Sequence, residues 1–154
     1  MANEFSTAGV QVKYAIEQTS GTRPVSGYTP IPGIKSIPDI GNSEPSLLEV
    51  TDLSDKTRKR YIPGLQDNNG SVSFGANLTA DFKTKWAALC TAATAGQSAS
   101  KSAWFEIAIP GFDSFYFSGM PTELGFSAME VDAVAEATVY ITPNTIEGWG
   151  TAST

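Results

Sequence analysis

The apolar residues of this chain repeat every second position along most of its length and at helical spacing only once. Residues 71 to 78 put Val72, Phe74, Ala76 and Leu78 on one side and Ser71, Ser73, Gly75 and Asn77 on the other, the period of a half-buried strand. Over residues 80 to 95 the period changes, and Phe82, Trp86, Leu89 and Ala93 form one apolar stripe. Thr79 suits the N-cap of that helix, Asp81 the positive end of its dipole, and Gly96 the position just past its C-terminus. Strands then return. Ala103, Phe105, Ile107 and Ile109 alternate with Ser102, Trp104, Glu106 and Ala108. Further strands are expected over Phe115 to Met120 and Leu124 to Ala128, parted by Pro121. A last long strand sets Val131, Ala133, Ala135, Ala137, Val139 and Ile141 against Asp132, Val134, Glu136, Thr138 and Tyr140, closed by Pro143 and Asn144. Strands, one helix, then strands again leave no β-α-β alternation and argue against a parallel sheet. The pattern predicts a mainly β fold, an antiparallel sandwich or barrel with one flanking helix at about residues 80–95.

The N-terminal third is less regular. One short strand is expected where Val10, Val12 and Tyr14 alternate with Gln11 and Lys13, before Ser20-Gly21-Thr22-Arg23-Pro24 and Pro30-Ile31-Pro32-Gly33 break the pattern. Residues 1–33 thus read as an arm that either orders on a neighbour or stays loose. Residues 34–144 form the β domain, with strands expected over 34–40, where Pro38 implies an edge or bulge, and over 47–53. Between them and the strand at 71 lie a charged loop, part of a hairpin at about 52–62, and the tight-turn sequence Asp67-Asn68-Asn69-Gly70. Residues 145–154 read as a flexible tail, Trp149 excepted.

Composition narrows the chemistry. A chain of 154 residues fits one domain. With 10 cationic against 16 acidic residues the net charge is −6, which disfavours free binding to nucleic acid, since phosphate affinity comes from Lys and Arg. There is no histidine and one cysteine, Cys90. The commonest general base and metal ligand is therefore missing, no internal disulfide is possible, and Cys90 reads as a small buried hydrophobe. The Gly residues form no nucleotide-binding pattern; no cofactor and no metal are expected. No apolar run reaches the roughly 18 residues of a membrane span, and Met1-Ala2-Asn3-Glu4-Phe5 lacks the character of a signal peptide, so a cytoplasmic product is expected.

Two charged constellations stand out. Lys56, Arg58, Lys59 and Arg60 follow Glu44, Glu49, Asp52 and Asp55. They read either as a solvated hairpin tip or as a contact that docks head-to-tail on an acidic neighbour, and the long apolar-faced strands favour the contact. Glu106, Glu123, Glu130, Asp132 and Glu136 lie on or beside strands. They read as solvent-facing residues, as paired catalytic acids in a cleft, or, for Asp132 and Glu136, as the acidic wall of a channel that repels DNA. The aromatics from Trp104 to Phe126 read as core, or as a sugar-binding platform.

The ordered set Ser20-Gly21-Thr22-Arg23-Pro24, Gly27-Tyr28, Ile31 to Asp39, Leu48-Glu49-Val50-Thr51 and Tyr61-Ile62-Pro63-Gly64-Leu65 resembles the major tail tube protein of long-tailed phages, most specifically over residues 20–82. The resemblance implies a β-sandwich or barrel with a flanking helix, shared with the tubes of contractile injection systems, and a structural protein without catalytic residues. It implies hexameric rings stacked into a hollow tail tube through which DNA is ejected without specific binding. The hairpin from Asp52 to Ile62, carrying Asp52, Asp55, Lys56, Arg58, Lys59 and Arg60, would reach the adjacent ring, as would the N-terminal arm. In such a tube Asp132 and Glu136, read above as one option for an acidic wall, are the candidate lumen lining. Partners would be further copies of the chain, the tape measure, the terminator and the baseplate, with no membrane. Assembly would occur in the bacterial host cytoplasm, and no additional C-terminal immunoglobulin-like domain is expected. The other readings are the tube of a contractile phage or injection system, a tube-terminating ring, a monomeric β-sandwich module for carbohydrate or cell surfaces, and an enzyme with paired acids.

Overall fold

Nine strands and one helix make up the computed structural model, which describes residues 6–41, 44–66 and 70–153. The strands are β1 (Gln11–Ile16), β2 (Thr29–Pro30), β3 (Ile34–Ser36), β4 (Pro45–Glu49), β5 (Tyr61–Gln66), β6 (Val72–Asn77), β7 (Ala103–Ala108), β8 (Ser114–Pro121) and β9 (Glu136–Gly150), with α1 (Ala80–Ser98) between β6 and β7. Seven strands form one antiparallel sheet in the order β2-β1-β7-β8-β9-β6-β3, and β4 and β5 form a separate two-stranded sheet. The large sheet curls into a half-barrel around α1. The fold is therefore mainly β and antiparallel with a single helix, as the two periodicities predict.

The helix follows the stripe. Phe82, Trp86, Leu89 and Ala93 are all buried, against Phe74, Phe105, Phe117, Val139 and Ile141 of the sheet. Burying each large side chain stabilises by about 1.5–3 kcal/mol, so this layer holds the molecule together. The Thr79 hydroxyl accepts the Phe82 N–H at 3.1 Å, capping the first turn. The C-terminus differs from expectation. Gly96 stays helical, and the left-handed residue that ends the helix is Ser100, at φ 58°. The Lys101 N–H reaches the Gly96 carbonyl at 2.7 Å and the Ser100 N–H reaches Gln97 at 3.1 Å, the paired bonds of a Schellman cap. Gly96 is needed for space: a Cβ there would lie 2.8 Å from the Lys101 carbonyl oxygen and 3.0 Å from Ile16.

Six expectations from the sequence are corrected. Residues 1–33 are not an arm throughout, because β1 lies inside the sheet, paired with both β2 and β7. The strand expected over 34–40 keeps only Ile34–Ser36, at the sheet edge where Pro38 can follow it. The strand expected over 47–53 is Pro45–Glu49, since Val50 to Arg60 are folded into the hairpin loop. Residues 124–128 form no strand, and the alternation from Val131 to Ala135 is not extended either: Asp132 turns the chain with φ 62°, so β9 starts at Glu136. Lastly, residues 145–150 are not a tail. β9 runs on through Pro143 to Gly150, pairing with β8 along its length. Register shifts between Ser118 and Gly119 and between Tyr116 and Phe117 absorb Asn144 and Glu147 as extra residues, and Pro143 sits at the first of these bulges, where its missing N–H is tolerated. The tight turn expected at Asp67-Asn68-Asn69 falls outside the described residues.

Candidate assembly surface

The β4–β5 hairpin stands apart from the core. Its register runs Pro45↔Gln66, Leu47↔Pro63, Leu48↔Ile62 and Glu49↔Tyr61, with one bulge after Pro45. A two-stranded sheet has no interior of its own and is marginal in water. Here its apolar side chains lie in solvent: Leu47, Leu48, Tyr61 and Ile62 are about half exposed or more, and Leu65 is 90% exposed. Leu53, at the tip, is fully exposed. Apolar side chains gathered on one surface are of the kind that a contact with another macromolecule covers.

The loop between the two strands is built, not loose. The Val50 N–H donates to the Arg60 carbonyl at 2.9 Å, and the Arg60 N–H to the Thr51 hydroxyl at 2.9 Å. The Asp52 carboxylate accepts the Ser54 N–H at 2.8 Å, and Asp55 accepts the Asp52 N–H at 2.9 Å. The Arg60 guanidinium then bonds both acids, Asp55 at 2.9 Å and Asp52 at 3.1 Å. The hydroxyl and N–H of Ser54 hold the Asp52 carboxyl below its ordinary range, and the Asp52 N–H and Arg60 do the same for Asp55. The predicted cluster therefore divides. Asp52, Asp55 and Arg60 bind each other within one loop, while Lys56, Arg58 and Lys59 are exposed and, among the described residues, form no ion pair.

The face of the sheet opposite the helix has two regions. Across β3, β6 and β9 it is open and polar, with Ser73, Asn77, Glu136, Thr138 and Tyr140 exposed. Glu136 lies there as expected, paired with Lys35, and Ser71 and Thr142 share a hydrogen bond at 3.0 Å. Asp132 does not join it on the strand, since it occupies the turn before β9.

Across β7 and β8 the same face is covered, and here the sequence reading missed a buried network. Glu106, read first as facing solvent, is buried, and so is Trp104, in keeping with its reading as core. Glu106 accepts the Ser153 N–H at 3.0 Å and the Ser153 hydroxyl at 2.6 Å. The single Tyr116 hydroxyl proton lies between Glu106, 2.9 Å away, and the Thr151 carbonyl, 2.5 Å away. Arg23 stacks over the Tyr116 ring at 3.9 Å and pairs with Glu147. Glu17, also buried, accepts the Ser102 N–H at 2.6 Å and the Trp104 indole at 3.1 Å. Burial pushes both carboxyls up, but their combined hydrogen bonds outweigh it and hold both below the ordinary value. Burial and the neighbouring Glu106 push the Tyr116 phenol up to about 12. This is the reverse of a carboxyl poised as a general acid.

Of the other chemical candidates, Cys90 and most of the aromatics resolve as packing, while Phe126 is exposed. Cys90 is half-buried on α1, and burial, then the charge of Glu123, pushes its thiol up. Among the described residues no group of three acids, Cys or His is arranged to hold a metal. Of the aromatics read as a sugar platform, Trp104, Phe105, Tyr116 and Phe117 are buried. Phe112 and Phe115 each pack edge-on against Trp149 at 5.3 Å.

Comparison with known proteins agrees with this picture. Solved structures share the fold, two of them as follows. A chain of the anti-feeding prophage baseplate, reconstructed with 6-fold symmetry, superposes with a TM-score of 0.62 at 9% identity, covering 97% of this chain and 98% of that one. A chain from the tail of an empty GTA particle, of C6 helical symmetry, superposes with a TM-score of 0.58 at 15% identity, covering 97% and 100%. No curated protein matches the sequence. The family model for the phage tail tube protein matches residues 2–146, so the chain belongs to the phage tail tube protein family and is a structural tube component.

Proposed function

We propose that this protein polymerises as hexameric rings stacked into the hollow tail tube through which phage DNA leaves the particle. The observation that carries the reading is the β4–β5 hairpin. In a chain of the tail tube family, it is a separate two-stranded sheet whose apolar side chains are in water while the subunit is alone. Burying it against a neighbouring ring stabilises hairpin and stack together. Asp52, Asp55 and Arg60 brace the loop, and Lys56, Arg58 and Lys59 present charge to the neighbour. The edge strands β2 and β3 each have one side unpaired within the large sheet, where a neighbouring subunit can continue it. The open polar face with Glu136 borders the channel, where a net charge of −6 per chain keeps DNA from adhering. The role is structural and not catalytic. The six-fold symmetry of the two similar assemblies supports the ring size. Tape measure, terminator and baseplate proteins complete the list of partners, the tail is its place in the virion, and the host cytoplasm is where assembly occurs.

Negative-stain electron microscopy across a concentration series tests this. Hollow tubes with six-fold end views are expected, and Arg58→Glu with Lys59→Glu should leave folded subunits or single rings. Wild-type protein that stays monomeric at the highest concentration overturns the reading, as do normal tubes from the double variant for the hairpin's part in it.

A further inference from the structure

We infer that the surface receiving the hairpin is the segment between β8 and β9 of a second copy of this chain, residues 123–134. The inference rests on the tube reading and names the other half of its contact. The segment has no regular structure and leaves Phe126, Met129, Val131 and Val134 exposed, Val131 at 91%. It is an apolar patch as unpartnered as the hairpin itself. Its charge is the hairpin's complement. Glu123, Glu130 and Asp132 are exposed and, among the described residues, form no ion pair, and the segment contains neither Lys nor Arg. The hairpin tip offers Lys56, Arg58 and Lys59, its remaining cation being held by its own two acids.

Position in the fold keeps the two patches apart on the subunit. The hairpin leads into the N-terminal end of β6 at Val72, whereas the segment runs beside β9, from the Thr122 N–H on the Tyr140 carbonyl at 2.9 Å to the Ala135 carbonyl, which accepts the Leu78 N–H at 2.9 Å past the C-terminal end of β6. The segment's far end, with Glu130 and Asp132, thus lies toward the end of β6 away from the hairpin, a strand of six residues at about 3.4 Å each. Complementary patches on separate parts of a subunit can pair within a closed dimer or from copy to copy in a chain, and the tube reading takes the second. A contact of hairpin to segment from one copy to the next is heterologous and propagates head to tail. Asp132 then belongs to the joint between rings, and Glu136, paired with Lys35 on the open face, remains beside the channel.

A charge exchange tests the pairing. One variant carries Arg58→Glu and Lys59→Glu, a second Glu123→Lys and Glu130→Lys, and a third all four. Each is followed by light scattering for the concentration at which polymer appears, with thermal melts to verify folding. Each double variant should raise that concentration roughly tenfold or more, because like charges meet in the contact, and the fourfold variant should recover most of the loss. The wild-type value should itself rise with salt. If the reversal of Glu123 and Glu130 assembles like wild type, or the fourfold variant assembles no better than the hairpin variant, the receiving segment is wrong while the tube reading stands. If wild-type protein forms no polymer, both fall. Should a reversed variant melt early, Glu123→Gln with Glu130→Gln repeats the comparison, and an unchanged assembly concentration in that variant also overturns the pairing.

Discussion

Glu106 shows what a single residue does in this molecule. It is a carboxylate with 1% of its surface exposed, set between two strands and held by Ser153 and Tyr116. Burying it without those donors would cost several kcal/mol, so it ties residues 151–153 onto the sheet. Replacing it by Gln puts an amide among groups that need an acceptor, and the variant should lose about 1–3 kcal/mol at neutral pH. The pH dependence has a fixed sign. Hydrogen bonding lowers the folded-state pKa below the ordinary 4.5. The contribution is therefore complete above about pH 4.5 and is lost as pH falls through the lower, folded-state value. Urea unfolding of wild type and Glu106→Gln down to about pH 3 should show the gap narrowing with acid; a gap that stays constant would mean that Glu106 is not charged in the fold. This site was only half legible in the sequence. The stretch Ala103-Trp104-Phe105-Glu106-Ile107-Ala108 contains one charge among five apolar residues, a composition suited to a strand buried on both faces, and alternation alone assigns Glu106 to solvent. Its cover comes from residues read as a loose tail, so one error caused the other.

At the scale of elements, the helix was legible and the long strand was not. Four apolar residues at helical spacing and a capping Thr identify α1 because each is a local signal. Its end is a tertiary matter. Gly96 remains in the helix because the chain returns over it at Lys101. Replacing a helical Gly by Ala ordinarily stabilises by roughly 1 kcal/mol. Here the new Cβ would meet backbone at 2.8 Å, and Gly96→Ala should instead destabilise by about 1–3 kcal/mol, as overpacking does, a reversal of sign that a thermal melt would reveal. The strand β9 was misread at both ends for related reasons. Its true start follows a left-handed Asp132, a conformation that non-Gly residues adopt rarely. Its true end lies beyond a Pro that only a bulge accommodates. Removing residues 145–154 should therefore cost the protein its cooperative fold, because Trp149 and Ile146 pair across β8 with Phe115 and Phe117. A truncated protein with an unchanged melting temperature would restore the reading of that segment as a tail.

For the whole molecule, the sheet's two faces have separate work, and the open one can be assigned by chemistry. One face packs α1 and forms the core. The other, across β6 and β9, has small hydroxyl side chains with a single ion pair, Lys35 with Glu136. Few groups there would grip a phosphate backbone, and in a tube this face could line the channel, meet a neighbouring subunit or face outward. Thr138, exposed on β9 opposite Gly75 of β6, tells them apart. In a Cys90→Ala background, Thr138→Cys in free subunits should react readily with both a small maleimide and a bulky polymer-bearing one. In assembled tubes a channel-facing thiol should still react with the small reagent, which diffuses along the bore, and be shielded from the bulky one. Protection from both would bury Thr138 between subunits, and unchanged reaction with both would put this face on the outside of the tube. The Cys90 replacement matters little to the background, because burial and Glu123 already disfavour its thiolate. The outcome bears on Glu136 directly, since it shares this face and strand with Thr138 two residues away.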